Sequence, residues 1–259
     1  MPAPRHPEAV PLFTRVHGVI HSPRATFEAV ARAPRWFGVI TFTALVTTGC
    51  SAILLRTEVG QLALLDQWER TASAFGRDID DIQYAAMEDA SQHGVAYAVV
   101  SSLVNGPLLA FGLSVAFFVA FRASRVAKRP DQPVLAGRSA FADRPVAVTY
   151  RQLLAVVAHA GLILALRQVI AAPVAYARET LASQTTMSMF FGMLNEASPL
   201  ARVFGIIDIF ILWWILVLAI GMSVLYQRPA PRLAIVFGGT YLALAAALAI
   251  VMAVTGGTA

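Results

Sequence analysis

The chain has 259 residues, of which 58% are apolar and 14% are charged, whereas a soluble domain has about 25% charged residues. This shortage of charge excludes an ordinary water-soluble enzyme, and the net charge of +5 comes from bases placed between apolar stretches rather than on a nucleic-acid-binding module. A single cysteine, Cys50, excludes a disulfide framework and a cysteine zinc site. The composition predicts an all-α integral membrane protein with no cofactor and no nucleic-acid partner.

Residues 1–35 are predicted to form a tail outside the membrane. Ser22 and Pro23 are typical of a helix N-terminus, and Pro34 ends the helix. Phe27 belongs to its apolar face, so we expect a short interfacial helix on the inner leaflet. This helix either binds anionic lipid or a partner, or acts as an elbow that orients the first span.

Five later segments contain enough apolar residues to cross a bilayer, which takes about 20 residues in a helix. The predicted spans are 36–55, 94–121, 153–176, 203–226 and 233–255. Together they form a membrane domain over 36–255. No apolar run precedes residue 36, so we expect no cleavable signal peptide and an uncleaved first span.

The connections differ in their content of Lys and Arg, which sets orientation in a membrane. Fourteen of these bases lie in 1–35, 122–151 and 228–232, and five lie in the alternate connections, 56–93 and 178–202. With five spans, this bias predicts a protein of the plasma (cytoplasmic) membrane whose N-terminus is cytoplasmic and whose C-terminus is outside.

A basic segment begins the connection after the second span, with Arg122, Arg125, Lys128 and Arg129. Such a segment attracts anionic lipid, by about 1 kcal/mol per base near the surface. The same residues would also be present if they served only to set the topology. The bilayer is therefore an expected partner, and both roles stay open.

Two charged residues lie within the predicted spans, where an ionisable group is expensive. Arg167 is on the third span and Asp208 on the fourth, and antiparallel packing brings both to the outer half of the bilayer. We predict an ion pair between them, serving either as a structural clamp or as part of an ion path. A path would need a water-accessible cavity bounded by this pair together with Asn105 and His159.

The second span has polar and small residues near its middle: Ser101, Ser102, Asn105, Gly106 and Pro107. Proline removes a backbone donor, so we expect a kink there. Broken helices form binding sites in transporters, but small and polar residues also pack helices together. No nucleophile elbow, zinc-binding helix or phosphate-binding loop occurs, so the chain is not expected to be an enzyme.

Two segments resemble the YIP family of membrane domains. The tail resembles its "P…F…P" entry at His21-Ser22-Pro23, Phe27 and Pro34. The fourth span resembles its "D-x-F-x-x-W … L-x-x-G" helix at Asp208-Ile209-Phe210, Trp213 and Leu218-Ala219-Ile220-Gly221. The basic turn Arg228 to Arg232 and a last span rich in small residues are also similar, so the resemblance covers roughly residues 15 to 255.

The resemblance implies five helices, a cytoplasmic N-terminus and a non-enzymatic role in organising membranes or binding partners. Eukaryotic members interact with Rab/Ypt GTPases, but this chain lacks their long polar N-terminal region and looks like the bacterial branch, so GTPase binding is not carried over. We therefore expect a membrane-organising scaffold or partner-binding adaptor. The alternative is a small permease or channel with a path near Arg167 and Asp208.

Overall fold

The computed structural model describes residues 11–126, 148–182, 185–187, 204–205 and 207–255. These residues are mainly helical, and they include five helical segments that are long and apolar enough to cross a membrane. The predicted class, an all-α polytopic membrane protein, is confirmed.

The described chain begins with two short helices, α1 (Leu12–His21) and α2 (Pro23–Arg32), followed by the first span, α3 (Phe37–Leu55). We call the end of the bundle where α3 begins the entry side and the opposite end the exit side. The sequence predicted α2 but not α1. Ser22 occupies the N-cap position of α2, but its side chain makes no capping hydrogen bond.

Two further helices, α4 (Glu58–Ala74) and α5 (Asp81–Gln92), lie on the exit side after α3. Side chains cap both of them: the Thr57 hydroxyl accepts a hydrogen bond from the Gly60 amide, and Asp80 accepts one from the Gln83 amide. Side-chain oxygens at this position satisfy amides that the first helical turn leaves without partners. Most of the connection 56–93 is therefore ordered as helices.

The next two spans connect the exit side to the entry side and back. They are α6 (Gly94–Val126) and the pair α7 (Tyr150–Ala160) and α8 (Leu162–Arg178), which are continuous enough to cross as one segment. Thr149 and Gln152 form a reciprocal capping box at the start of α7.

The fourth span, α9 (Ile209–Tyr226), begins later than predicted. We expected it to start at residue 203 with Asp208 inside it; instead Asp208 is the N-cap, and its carboxylate accepts hydrogen bonds from the amides of Phe210 and Ile211. A carboxylate is stabilised at a helix N-terminus by free amides and by the helix dipole, so the helix starts after it. The last span is α10 (Ala230–Thr255).

The core lies on the entry side, where α2 packs against α7 and α9. Phe27 is fully buried and Val30 nearly so. The apolar face of α2 therefore enters the groove between α7 and α9 and is covered by protein, while the position of α2 at the inner leaflet stays a prediction. The Gln152 amide also donates to the Ala31 carbonyl at 3.0 Å, joining α7 to the end of α2.

The spans differ strongly in the share of their residues that is buried inside the protein. The α7–α8 span is central, with 61% of its apolar window buried. The corresponding shares are 6% for α6 and 0% for α10. These two helices therefore present most of their surface to whatever surrounds the bundle.

Candidate functional site

The structure brings Arg167 and Asp208 together near the exit side. The Nε atom of Arg167, in the second turn of α8, donates to Oδ2 of Asp208, the N-cap of α9, at 2.7 Å. The Arg167 side chain is 33% exposed and that of Asp208 4% exposed. A nearly buried carboxylate needs a nearby cation and several donors, because hydration no longer stabilises its charge.

Asp208 receives those donors from three parts of the chain. Its Oδ2 atom also accepts a hydrogen bond from the Thr185 hydroxyl at 2.5 Å, and its Oδ1 atom faces the first amides of α9. Its own backbone amide donates to the Tyr241 hydroxyl of α10 at 3.2 Å. The carboxylate therefore ties together α8, α9 and the segment around Thr185, as a structural clamp does.

A short backbone pairing fixes Thr185 in this position. The Ile209 amide donates to the Thr185 carbonyl, and the Met187 amide donates to the Ile207 carbonyl. Thr186 and Asp208 form the corresponding antiparallel bridge. No sequence pattern indicates this partner, because Thr185 is distant in the chain and belongs to no apolar or helical pattern.

His159 lies in the core on the entry side and does not join the ion pair. Its Nδ1 atom is 2.7 Å from the Ala155 carbonyl, so Nδ1 carries the hydrogen and Nε2 accepts. Nε2 faces Arg15 Nη1 of α1 at 3.4 Å. Burial, and then the like charge of Arg35, lower the pKa of Arg15 below its ordinary value.

Among the cavities between the described helices, two bear on the predicted site. The larger, of about 240 Å³, is at the exit side between α3, α4, α6 and α8, and Arg167 is among its lining residues. The smaller, of about 90 Å³, lies deeper and is mainly apolar, with Thr43, Thr47 and Pro107 on its wall. Neither cavity is lined by Asn105, His159 or Asp208, so the four residues expected of an ion path do not share one of these two cavities.

The polar cluster of the second span is spread around α6 rather than gathered into one site. Ser101 lines the larger cavity and donates to the Ala98 carbonyl, while Ser102 is half-buried. Asn105 is exposed on the outer surface of the bundle. The helix continues through Pro107 without a break.

The predicted basic segment is only partly described. Arg122 is exposed near the end of α6, and Arg125 is on its last turn. Lys128 and Arg129 lie outside the described residues. Within the described part of the chain, no three His, Cys, Asp or Glu side chains are grouped as a metal site.

Comparisons of the chain with protein-family models, with curated proteins and with solved structures gave no match. The likeness to the YIP family therefore rests on the sequence motifs.

Proposed function

We propose that this protein is a non-enzymatic membrane scaffold or adaptor, which binds other membrane proteins through lateral contacts between helices. The observation that carries this proposal is Asn105. Its side chain is exposed on α6, and no hydrogen bond joins it to any described residue. Its neighbours Gly106 and Pro107 line the same cavity as Thr43 and Thr47, so Asn105 is level with the middle of α3.

An exposed amide in the middle of a membrane-spanning helix favours the association of that helix with another one. In hydrocarbon no water satisfies its donors and acceptor, so a neighbouring helix that offers a hydrogen bond gains about 1 kcal/mol. The surrounding surface is apolar, since Val104 and Leu108 are 52% and 65% exposed. A polar group framed by apolar side chains suits a partner helix better than it suits lipid.

The orientation and the membrane belong to the same proposal. We propose that the entry side is cytoplasmic, that the membrane is a bacterial plasma membrane, and that the chain is a bacterial member of the YIP family. The excess of bases on the entry side and the tail and fourth-span motifs support this. Tags at the two ends are expected to lie on opposite sides of the membrane; finding both on one side would contradict the orientation.

The proposal is tested by photocrosslinking from the outward face of α6. A photoreactive residue replaces Leu108, which leaves Asn105 intact, and the matched control carries the same residue at Leu45 of α3, which is also 65% exposed. In cell membranes the Leu108 position is expected to give a discrete adduct with a membrane-spanning segment. Asn105→Val should reduce its yield about fivefold, the equivalent of the lost hydrogen bond.

An adduct that contains a second copy of the chain identifies self-association, and one that contains another protein identifies an adaptor. An adduct whose yield is unchanged by Asn105→Val would overturn the role of the amide. Equal adducts from Leu45 and Leu108 would show non-specific collision and overturn the proposal.

A small permease or channel is the second candidate, favoured by the 240 Å³ cavity beside Arg167. Its test is a screen for ion and solute flux in liposomes that contain the purified protein. We expect no flux above that of empty liposomes. Flux abolished by Asp208→Asn would replace the scaffold with a transport function.

A further inference from the structure

Arg167 lines the exit-side cavity, and most of its hydrogen-bond donors have no partner among the described residues. A guanidinium has five N–H donors, and Arg167 directs its Nε donor toward Asp208 and Thr185. No hydrogen bond joins its two terminal nitrogens, with four donors, to any described residue. Because Arg167 lines the cavity and is one-third exposed, its terminal nitrogens are accessible from that cavity.

Asp208 does not compete for these donors. Both of its oxygens already accept hydrogen bonds, from Arg167 Nε and the Thr185 hydroxyl on one side and from backbone amides on the other. The carboxylate itself is absent from the cavity wall, and none of the described lining residues is acidic. A negatively charged group inside the cavity therefore meets the terminal N–H donors of Arg167, while the carboxylate that compensates the charge of Arg167 is bound on its Nε side and is not part of the wall.

The rest of the wall combines neutral polar groups with apolar ones. Gln168 donates to the Ser51 hydroxyl at 3.0 Å, and both residues line the cavity together with Gln67. Leu54 and Leu64 form part of the apolar wall. Such a lining suits a charged head attached to an apolar body.

We propose that this cavity binds a phosphate group through the terminal nitrogens of Arg167. Two parallel N–H donors of a guanidinium match two phosphate oxygens, which gives a stronger and more directional contact than a single ammonium. The phosphate comes either from the headgroup of an anionic phospholipid of the exit-side leaflet or from the aqueous phase. The leucine wall favours the lipid. This site is independent of the scaffold function and of the Asn105 surface.

The test is a calorimetric titration of the purified full chain in maltoside micelles with three probes. These are dihexanoyl phosphatidylglycerol, inorganic phosphate, and dihexanoylglycerol, which has the same acyl chains without phosphate. We expect saturable 1:1 binding of the phospholipid and none of the neutral diacylglycerol. Saturable binding of inorganic phosphate with the same dependence on Arg167 would assign the site to a free anion.

Two variants alter the site with little change to the surrounding packing. Arg167→Lys keeps a cation beside Asp208 but removes the guanidinium fork, and Ala172→Leu fills the cavity without touching the ion pair. Each should weaken phospholipid binding about tenfold or more. Arg178→Gln is the matched control, because it removes an exposed arginine from the end of the same helix and should leave binding unchanged.

Three results would overturn the proposal: no binding of either phosphate probe, equal binding of the diacylglycerol and the phospholipid, or unchanged binding by Arg167→Lys. If Arg167→Lys unfolds in micelles, as judged by its helical circular dichroism, Ala172→Leu alone decides: undiminished binding by that variant contradicts the cavity as the site. Failure here would leave the crosslinking from α6 unaffected.

Discussion

The two ends of the helix bundle are held together by different kinds of contact. On the entry side, Phe27 of α2 fills a groove between Val156 of α7 and Gly221 of α9, and the contacts are apolar. On the exit side, Arg167 and Asp208 connect α8 to the start of α9 beside a polar cavity. The stability of the entry side thus depends on close apolar packing, and that of the exit side depends on an ion pair.

This difference bears on function. A close-packed entry side leaves side chains such as Leu153 and Val156 without exposed surface. The exit side has a cavity, and Arg167 is the charged residue of its wall. Arg167 is paired with Asp208, whose two carboxylate oxygens both accept hydrogen bonds. We infer a cavity that ends within the bundle, which is consistent with a scaffold and with a binding site for a headgroup.

Breaking the ion pair is expected to have the largest effect on stability. Arg167→Met leaves a nearly buried carboxylate without its cation, which should cost about 4 kcal/mol in the free energy of unfolding measured in mixed micelles. Asp208→Asn removes the charge but keeps an N-cap side chain. The double variant should lose clearly less than the sum of the two single losses, because neither charge is left alone.

Strictly additive losses would show that Arg167 and Asp208 do not stabilise each other, and the exit side would then not depend on charge. The Arg24–Glu28 pair provides the reference, since it is exposed on α2 and its removal should change stability by less than about 1 kcal/mol.

Removing the Phe27 side chain tests the entry side. Phe27→Ala empties the groove between α7 and α9 and should destabilise the protein by about 3 kcal/mol. Phe13→Ala is the matched control in the neighbouring helix, because that side chain is 74% exposed and should contribute little. Equal losses in the two variants, measured by unfolding in mixed micelles, would mean that α2 is not docked in the groove.

Adding one methyl group to the same groove should have a smaller effect. A Cβ atom at Gly221 would lie 2.5 Å from Val156 Cγ1 and 3.2 Å from the Phe27 ring, so Gly221→Ala forces these side chains apart. We expect a loss of about 2 kcal/mol. Gly238→Ala in α10 has no atom within 4 Å of its new Cβ and should be neutral or slightly stabilising. A neutral Gly221→Ala would show a loosely packed groove.

The sequence predicted those features that depend on long patterns or on expensive charges. Five apolar runs identify five spans because few other structures tolerate them. The sequence predicts that Arg167 and Asp208 pair because each would be costly alone in the bilayer. These two expectations needed no knowledge of tertiary contacts.

Other features depend on tertiary contacts that a single sequence does not reveal. The amphipathic pattern around Phe27 shows an apolar face but not whether lipid or protein covers it. The α1 helix was missed because its apolar residues are interrupted by His17, Arg15 and Gly18. The predicted start of α9 differs from the observed one because the sequence pattern does not distinguish an aspartate inside a span from one that caps the helix.

The most direct test of a closed interior is cysteine labelling from each side of the membrane. In a Cys50→Ala background, single cysteines replace Ala172, which lines the exit-side cavity, and Ala165, two turns earlier on α8, which lines the deeper apolar cavity. With a membrane-impermeant maleimide, we expect Ala172→Cys to react from the exit side only and Ala165→Cys to react from neither side. Reaction of Ala165→Cys from either side would reveal a water path through the bundle and contradict the account.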